Sequence, residues 1–217
     1  MPGAFITFEG IEGSGKSTQI SRLLYQLSNS GIPATLTREP GGTPIGDQIR
    51  KVLLDPANKL LDPTAELLLY AASRAQHLRE VIRPALDAGR VVLCDRFSDA
   101  TLAYQGYGRG LSIETIGELD RIVTAGLRPL LTILLDIDAE TGVGRARGRN
   151  TAQGLDGEAR FENEELAFHN RVRDGYLTLA KQDPGRIRII DAGRTPDAIQ
   201  EDVRRIVDEV LSQINCK

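Results

Sequence analysis

Residues Gly10-Ile11-Glu12-Gly13-Ser14-Gly15-Lys16-Ser17 fit G-x-x-x-x-G-K-[ST] and constrain this chain more than any other stretch. Ahead of them, Ala4 to Glu9 alternates apolar and polar residues as a strand does. Behind them, Thr18 to Leu27 carries apolar residues at helical spacing. A glycine-rich turn between a strand and a helix lets backbone N–H groups converge on phosphate oxygens, and the helix N-terminus adds partial positive charge. Lys16 would reach the β- and γ-oxygens, and Ser17 Oγ would ligate Mg²⁺. Gly10, Ile11, Glu12, Gly13, Ser14, Gly15, Lys16, Ser17 and Thr18 are therefore read as a nucleoside triphosphate site. The bland alternative, a glycine turn with a solvated lysine, leaves the flanking strand and helix unexplained.

A chain of 217 residues suits one domain, 1–217, large enough to bury a good core. Its net charge of −3 argues against a dedicated nucleic-acid binder. Cys94 and Cys216, the only cysteines, make neither a disulfide framework nor a zinc signature, so a reducing compartment is expected. No signal-peptide pattern precedes the first strand, and no apolar run approaches the ~20 residues of a membrane span. The expectation is a soluble cytoplasmic protein with no membrane partner.

Further strands are predicted at Ala34 to Thr37, Arg90 to Cys94, Leu130 to Leu135 and Ile187 to Ile190. A long helical stretch runs from about Pro63 to Asp87, stopped by Gly89, and Thr195-Pro196 starts the last helix. Strands alternating with helices imply an α/β fold, a five-stranded parallel sheet with right-handed crossovers and helices on both faces. Ligands then collect at the carboxyl ends of the strands, where Gly10, Arg38 and Asp95 fall. Residues Gly148 to Gly157 break the pattern and read as a mobile loop, part of a short lid over about 146–160.

Asp95 ends an apolar strand, as a carboxylate beside Mg²⁺ would; the alternative is an N-cap for the next segment. Arg96 follows directly and needs an anionic partner at a buried strand end, either Asp95 or a substrate phosphate. With Arg38 in the Arg38-Glu39-Pro40-Gly41-Gly42 loop it would make a basic pocket beside the phosphate loop. Tyr70, Arg74 and His77 share one helix face at i, i+4 and i+7, while Leu67, Ala71, Ala75, Leu78 and Ile82 mark an apolar one. Tyr70 and Arg74 beside a phosphate pocket suggest an aromatic surface and a hydrogen-bonding fork for a planar base; core packing and a solvated charge are the alternatives. His77 is read as structural. In Ala103 to Gly110, aromatics among glycines allow close approach to a ligand, although surface loops look similar. The phosphate loop carries Glu12 and no arginine, so Arg145, Arg147, Arg149 and Arg160 around the lid are read as the supply of charge to a moving phosphoryl group. A solvated face accounts for at least one or two of these four.

Taken together, F-E-G-I-E-G-S-G-K-S-T (Phe8 to Thr18), R-E-P-G-G (Arg38 to Gly42), Y-A-A-S-R-A-Q (Tyr70 to Gln76), D-R-F (Asp95 to Phe97) and A-Y-Q-G (Ala103 to Gly106) resemble the thymidylate kinase family across nearly the whole chain. The resemblance implies a three-layer P-loop NTPase fold, ATP and dTMP as substrates, Mg²⁺ as cofactor, and a homodimer. By it, Arg38 and Arg96 would hold the acceptor phosphate, Tyr70 would stack on thymine, Arg74 would bond its carbonyl edge, and Thr101 would lie near its ring nitrogen. Tyr104 would pack under the sugar and select deoxyribose, Glu12 would meet a sugar hydroxyl, and Gln105 would complete the acceptor site. Ser17 and Asp95 would hold the metal. Lys16, Arg96, Arg149 and Arg160 would act on the transferring group, the last two as the lid arginines of the bacterial form. Tyr70, Ser73 and Ala100 stand where the family usually has Phe, Asp and Ser, and the lid is longer than in some relatives.

Overall fold

The computed structural model describes residues 3–153 and 160–215, and all their side chains except those of 149–153 and 214–215. Five strands, β1 (Ala4–Glu9), β2 (Ala34–Arg38), β3 (Val91–Asp95), β4 (Leu131–Asp136) and β5 (Ile187–Asp191), form one parallel sheet in the order β2-β3-β1-β4-β5. Each lies within one residue of its predicted span. The central strands β1, β3 and β4 are buried along almost their whole length, which requires cover on both faces, whereas the edge strands β2 and β5 are partly exposed. Ala4, Ile6 and Phe8 of β1 join a core with Ile20, Leu23 and Leu27 of helix α1 (Lys16–Asn29). Phe5, Val92 and Cys94 join a second core with Leu78, Ile82 and Phe97 on the other face. Alternation along the strand thus feeds two helical layers around the sheet.

The remaining helices are α2 (Pro44–Leu54), α3 (Pro63–His77), α4 (Arg83–Asp87), α5 (Ser98–Thr101), α6 (Ile113–Thr124), α7 (Ala139–Gln153), α8 (Leu166–Gln182) and α9 (Pro196–Asn215). The long helix predicted from Pro63 to Asp87 is divided by a wide π turn at Leu78–Ile82. Pro84 has no N–H and its ring opposes the preceding carbonyls, which loosens the ladder just ahead of it. The apolar face is narrower than expected, because Ala75 is exposed while Leu67, Ala71, Leu78 and Ile82 are buried. Residues 148–153, expected in a loop, are the last turns of α7, where arginine, alanine and glutamine sustain the helix past Gly148. The rest of the expected loop, 154–157, lies outside the described residues. A second π segment, Leu102–Gly108, carries the A-Y-Q-G motif and is mostly buried, not a surface loop.

Parallel register brings the strand ends level. Phe8 and Arg38 both pair with Asp95, so the ends of β1, β2 and β3 open side by side. The chain runs from β1 out to the edge strand β2, returns to β3 beside β1, and then crosses to β4 and β5 on the other side; this switch in strand order leaves a crevice at that edge.

Candidate active site

The phosphate loop turns from the end of β1 into α1, with Gly15 capping the helix at a left-handed φ of 90°. Lys16 Nζ donates to Gly10 O (3.0 Å), Ile11 O (2.9 Å) and Ser14 Oγ (3.3 Å), so Gly10, Ile11 and Ser14 form its backing. Glu12, Gly13, Gly15, Lys16, Ser17 and Thr18 face a cavity of about 670 Å³. Ser17 Oγ donates to Asp95 Oδ2 at 3.2 Å. Asp95 does not cap the following helix, whose N-cap is Phe97.

All eight residues expected at an acceptor, Glu12, Arg38, Tyr70, Arg74, Arg96, Thr101, Tyr104 and Gln105, line this same cavity. Arg96 stands at φ 70° and its N–H donates to Phe8 O. Its Nη1 donates to Gly10 O (2.9 Å) and Tyr176 Oη (3.0 Å), its Nη2 donates to Glu12 Oε1 (3.1 Å), and the guanidinium lies 4.8 Å from the Tyr104 ring centroid. Tyr104 Oη donates to the same Glu12 oxygen at 2.6 Å. Arg74, 3% exposed, is tied to Glu39, Asp120 and Thr101. Gln105 Nε2 donates to Glu66 Oε1 at 2.8 Å. Sequence reasoning gave no role to Arg50, Phe97, Phe161 and Glu162, which also line the cavity. Nor did it single out Glu9, His169 and Tyr176, which stand behind it.

The charge pattern favours anions. Burial alone would raise the Glu12 carboxyl, but the His169 imidazole 3.5 Å away, the Arg96 and Lys16 charges and the Tyr104 hydroxyl hold it well below the usual range. Burial also pushes Lys16 down to about 8, helped by Arg96 and opposed by Asp95, Glu12 and Glu9. Glu9, fully buried at the end of β1, is pushed up to about 8 by burial and then by the Asp99 charge, against Arg96 and the bonds from Tyr176 Oη and Phe97 N. Its signal in the sequence is a carboxylate closing an apolar strand, the same pattern that marked Asp95.

Three of the arginines around the lid are engaged. Arg145 donates to Ala192 O, and Arg147 to Glu162 O. Arg160, read as a cation offered to the transferring group, is engaged elsewhere in this structure. Its guanidinium is buried, bonded to Leu53 O and Glu66, stacked on Phe161, and absent from the cavity lining. Glu66 is itself fully buried and needs such a partner, so Arg160 fastens the chain after the lid to α2 and α3. The backbone of Arg149 belongs to α7, and its side chain lies outside the described residues.

A phosphate loop at the carboxyl edge of a parallel sheet, opening into one cavity that Lys16, Arg38, Arg50, Arg74 and Arg96 line, defines a phosphotransferase of the P-loop kinase class. Comparison with known proteins narrows this class. The family model described as thymidylate kinase matches residues 8–203. The chain is 58% identical over 195 residues to a thymidylate kinase of Syntrophotalea carbinolica, covering 90% of both chains. It is 58% identical over 210 residues to one of Trichlorobacter lovleyi, covering 97% of this chain and 98% of the other. The crystal structure of thymidylate kinase from Ehrlichia chaffeensis superposes with a TM-score of 0.77 at 32% identity, covering 95% of this chain and all of that one. The chain belongs to the thymidylate kinase family, and it is a nucleotide kinase. Among the described residues, no helix is long and apolar enough to cross a membrane.

Proposed function

We propose that this chain transfers the γ-phosphoryl group of ATP to dTMP, giving dTDP and ADP for dTTP synthesis. The observation that carries the reading is the single cavity joining the phosphate loop to all eight acceptor residues. ATP phosphates lie along Gly13 to Thr18, with Lys16 on the β- and γ-oxygens. Arg38 and Arg96 clamp the dTMP phosphate, Tyr70 stacks on thymine, Arg74 and Thr101 meet its edge, and Gln105 supports the pocket. Tyr104 closes the space a 2′-hydroxyl would need, and Glu12 accepts from the 3′-hydroxyl. The acceptor phosphate is anionic at neutral pH, so attack is direct and in line with no strong base. Catalysis is positioning and charge stabilisation by Lys16 and Arg96. Arg149 is the lid arginine left to join them, and Arg160 does so only by leaving Glu66.

Ser17 Oγ and Asp95 Oδ2, 3.2 Å apart, are the hard oxygen donors that Mg²⁺ takes alongside phosphates. Among the described residues no cluster of three or more acidic, His or Cys side chains competes for it. Bound Mg²⁺ supplies charge neutralisation on the β- and γ-oxygens. We also read the enzyme as cytoplasmic, since two cysteines suit a reducing compartment. A homodimer is supported by exposed Leu68 and Ile122 on α3 and α6, which pack against each other.

The test is ADP release with Mg·ATP and one acceptor at a time. Turnover should be fast with dTMP, about tenfold lower in kcat/KM with dUMP, which lacks one methyl, and slight with ribo-TMP, AMP or CMP. Equal turnover with dTMP and ribo-TMP would remove the sugar role of Tyr104. No stimulation by any acceptor would remove the kinase reading.

A further inference from the structure

His77 closes α3 at full burial and does not line the cavity. Its Nε2 lies 2.5 Å from Thr37 Oγ1 at the end of β2, and its Nδ1 lies 3.0 Å from Glu39 Oε1. The other oxygen of that carboxylate, Glu39 Oε2, accepts from Arg74 Nε at 2.7 Å. Arg74 also donates through Nη1 to Asp120 Oδ1 (3.3 Å) and through Nη2 to Thr101 Oγ1 (2.8 Å), with its guanidinium 5.0 Å from the Phe97 ring centroid. The R-E-P-G-G loop is moulded around the same imidazole. Gly42 stands at φ +79°, and a Cβ there would lie 2.8 Å from His77 Nε2 and 2.7 Å from Thr37 Oγ1.

A buried ion pair holds one geometry only when its remaining lone pairs are satisfied. Glu39 gives one oxygen to Arg74; with nothing on the other, the carboxylate could turn and the guanidinium would follow. His77 supplies that second donor. A carboxylate paired with arginine only accepts, so Nδ1 carries a hydrogen and donates it to Glu39, while Nε2 and the Thr37 hydroxyl share the second hydrogen bond. The result is a chain of contacts from β2 through α3 to a guanidinium that faces the acceptor.

We propose that His77 and Glu39 form a positioning relay that orients Arg74, and so sharpens selection of a base presenting a carbonyl over one presenting an amino group. The proposal rests on the reading of Arg74 as the residue that meets the base edge. Arginine offers donors and no acceptor. Held in one orientation it bonds a carbonyl oxygen such as that of thymine and opposes the amino group of cytosine at the same position. Without a fixed Glu39 its polar anchors are reduced to Asp120 and Thr101, so it is held less tightly and discriminates less.

The experiment compares His77→Leu, which keeps bulk without a donor, His77→Asn, whose amide can replace Nδ1–H, Arg74→Gln, and the Leu and Gln changes combined. KM for dTMP, KM for ATP, kcat and the dTMP-to-dCMP preference are measured for each. His77→Leu should raise KM for dTMP about tenfold, as loss of a hydrogen bond to a charged group does, and lower the preference while KM for ATP stays unchanged. His77→Asn should recover most of the loss, and His77→Leu should add nothing in the Arg74→Gln background. Normal dTMP kinetics in His77→Leu would overturn the relay. So would equal losses for ATP and dTMP that Asn does not rescue and that add to Arg74→Gln, the signature of packing alone. If Arg74→Gln kept wild-type affinity and preference, the base-reading role of Arg74 would fall and the relay with it. A defective Arg74→Gln beside a normal His77→Leu would remove the relay alone. The unmodified enzyme gives a separate check, since the chain has only two histidines. Imidazole ¹⁵N spectra should show His77 with a hydrogen on Nδ1, and a tautomer protonated on Nε2 alone would overturn the proposal however the variants fold.

Discussion

Arg96 occupies a left-handed conformation at φ 70°, which costs a residue with a Cβ about 1–2 kcal/mol. The bond from its N–H to Phe8 O and the three side-chain bonds to Gly10, Tyr176 and Glu12 hold it there. The strained backbone aims a guanidinium into the cavity where a regular strand would carry it past. Arg96→Ala should lower kcat by ~10²–10³-fold, as loss of a charge-stabilising donor does, with KM for ATP nearly unchanged. An ATP defect alone would show that Arg96 belongs to the donor. Glu9 leads to a pH prediction. Its folded value of about 8 exceeds the ordinary 4.5, so the folded state holds a proton that the unfolded chain releases between those limits. Stability from this group is full below pH 4.5 and falls toward pH 8, by about 1.4 kcal/mol per unit. Glu9→Gln should flatten that slope in urea titrations at pH 5, 6.5 and 8; an unchanged slope would mean Glu9 is ionised when folded. Arg96 was legible because an arginine closing an apolar strand has few uses. His169 and Tyr176 were not, since nothing in the spacing of residues 166–182 points to Glu9 or Glu12.

The π segment Leu102–Gly108 and α8 are joined more closely than side chains usually allow. A Cβ at Gly108 would stand 2.7 Å from Phe168 Cε2 and 2.9 Å from Val172 Cγ2, and one at Gly175 would stand 2.7 Å from the Tyr107 ring. Gly108, beside the A-Y-Q-G motif, therefore admits a helix, not a ligand, and through that contact Tyr104 is held against Phe161, Phe168 and Tyr176. Gly108→Ala should destabilise the protein by about 1–3 kcal/mol through overpacking and raise KM for dTMP more than KM for ATP. A variant of wild-type stability would show that Phe168 can yield. Elements were legible where one local cause decided them. Apolar or alternating runs placed the strands, and a Pro after Thr195 started α9, whose Ala198 N–H donates to Thr195 Oγ1. The pairing of Arg160 with Glu66 was not legible, because the two stand 94 residues apart in sequence and only the fold brings them together.

Across the whole molecule, the cavity draws on the phosphate loop, the end of β2, α2, α3, the end of β3, the π segment and the residues before α8. A ligand filling it joins both sides of the switch point. Mg·ATP or dTMP at a hundredfold excess over its Kd should add about 2.7 kcal/mol to folding and raise Tm by about 5–10 °C, read by differential scanning calorimetry. Either ligand leaving Tm unchanged would mean the cavity is not its site. At this scale the doubly covered sheet was readable from strand–helix alternation, and the carboxyl-edge rule with the family motifs brought the acceptor residues to one cavity; the buried groups behind it, Glu9, His169 and Tyr176, carried no such local signal. One contact at its rim has a mechanical meaning. A Cβ at Gly13 would stand 1.9 Å from Gly142 O, and one at Gly142 would stand 2.7 Å from Glu12 O, so the phosphate loop and α7 touch backbone to backbone. From that fulcrum α7 runs on to Gln153, roughly 16 Å away at 1.5 Å per residue. A tilt of about 10° at Gly142 therefore carries the far end by about 3 Å. Seated on the rim of the nucleotide site, the helix has the geometry of a lever: any small adjustment at Gly142 would be enlarged at its tip.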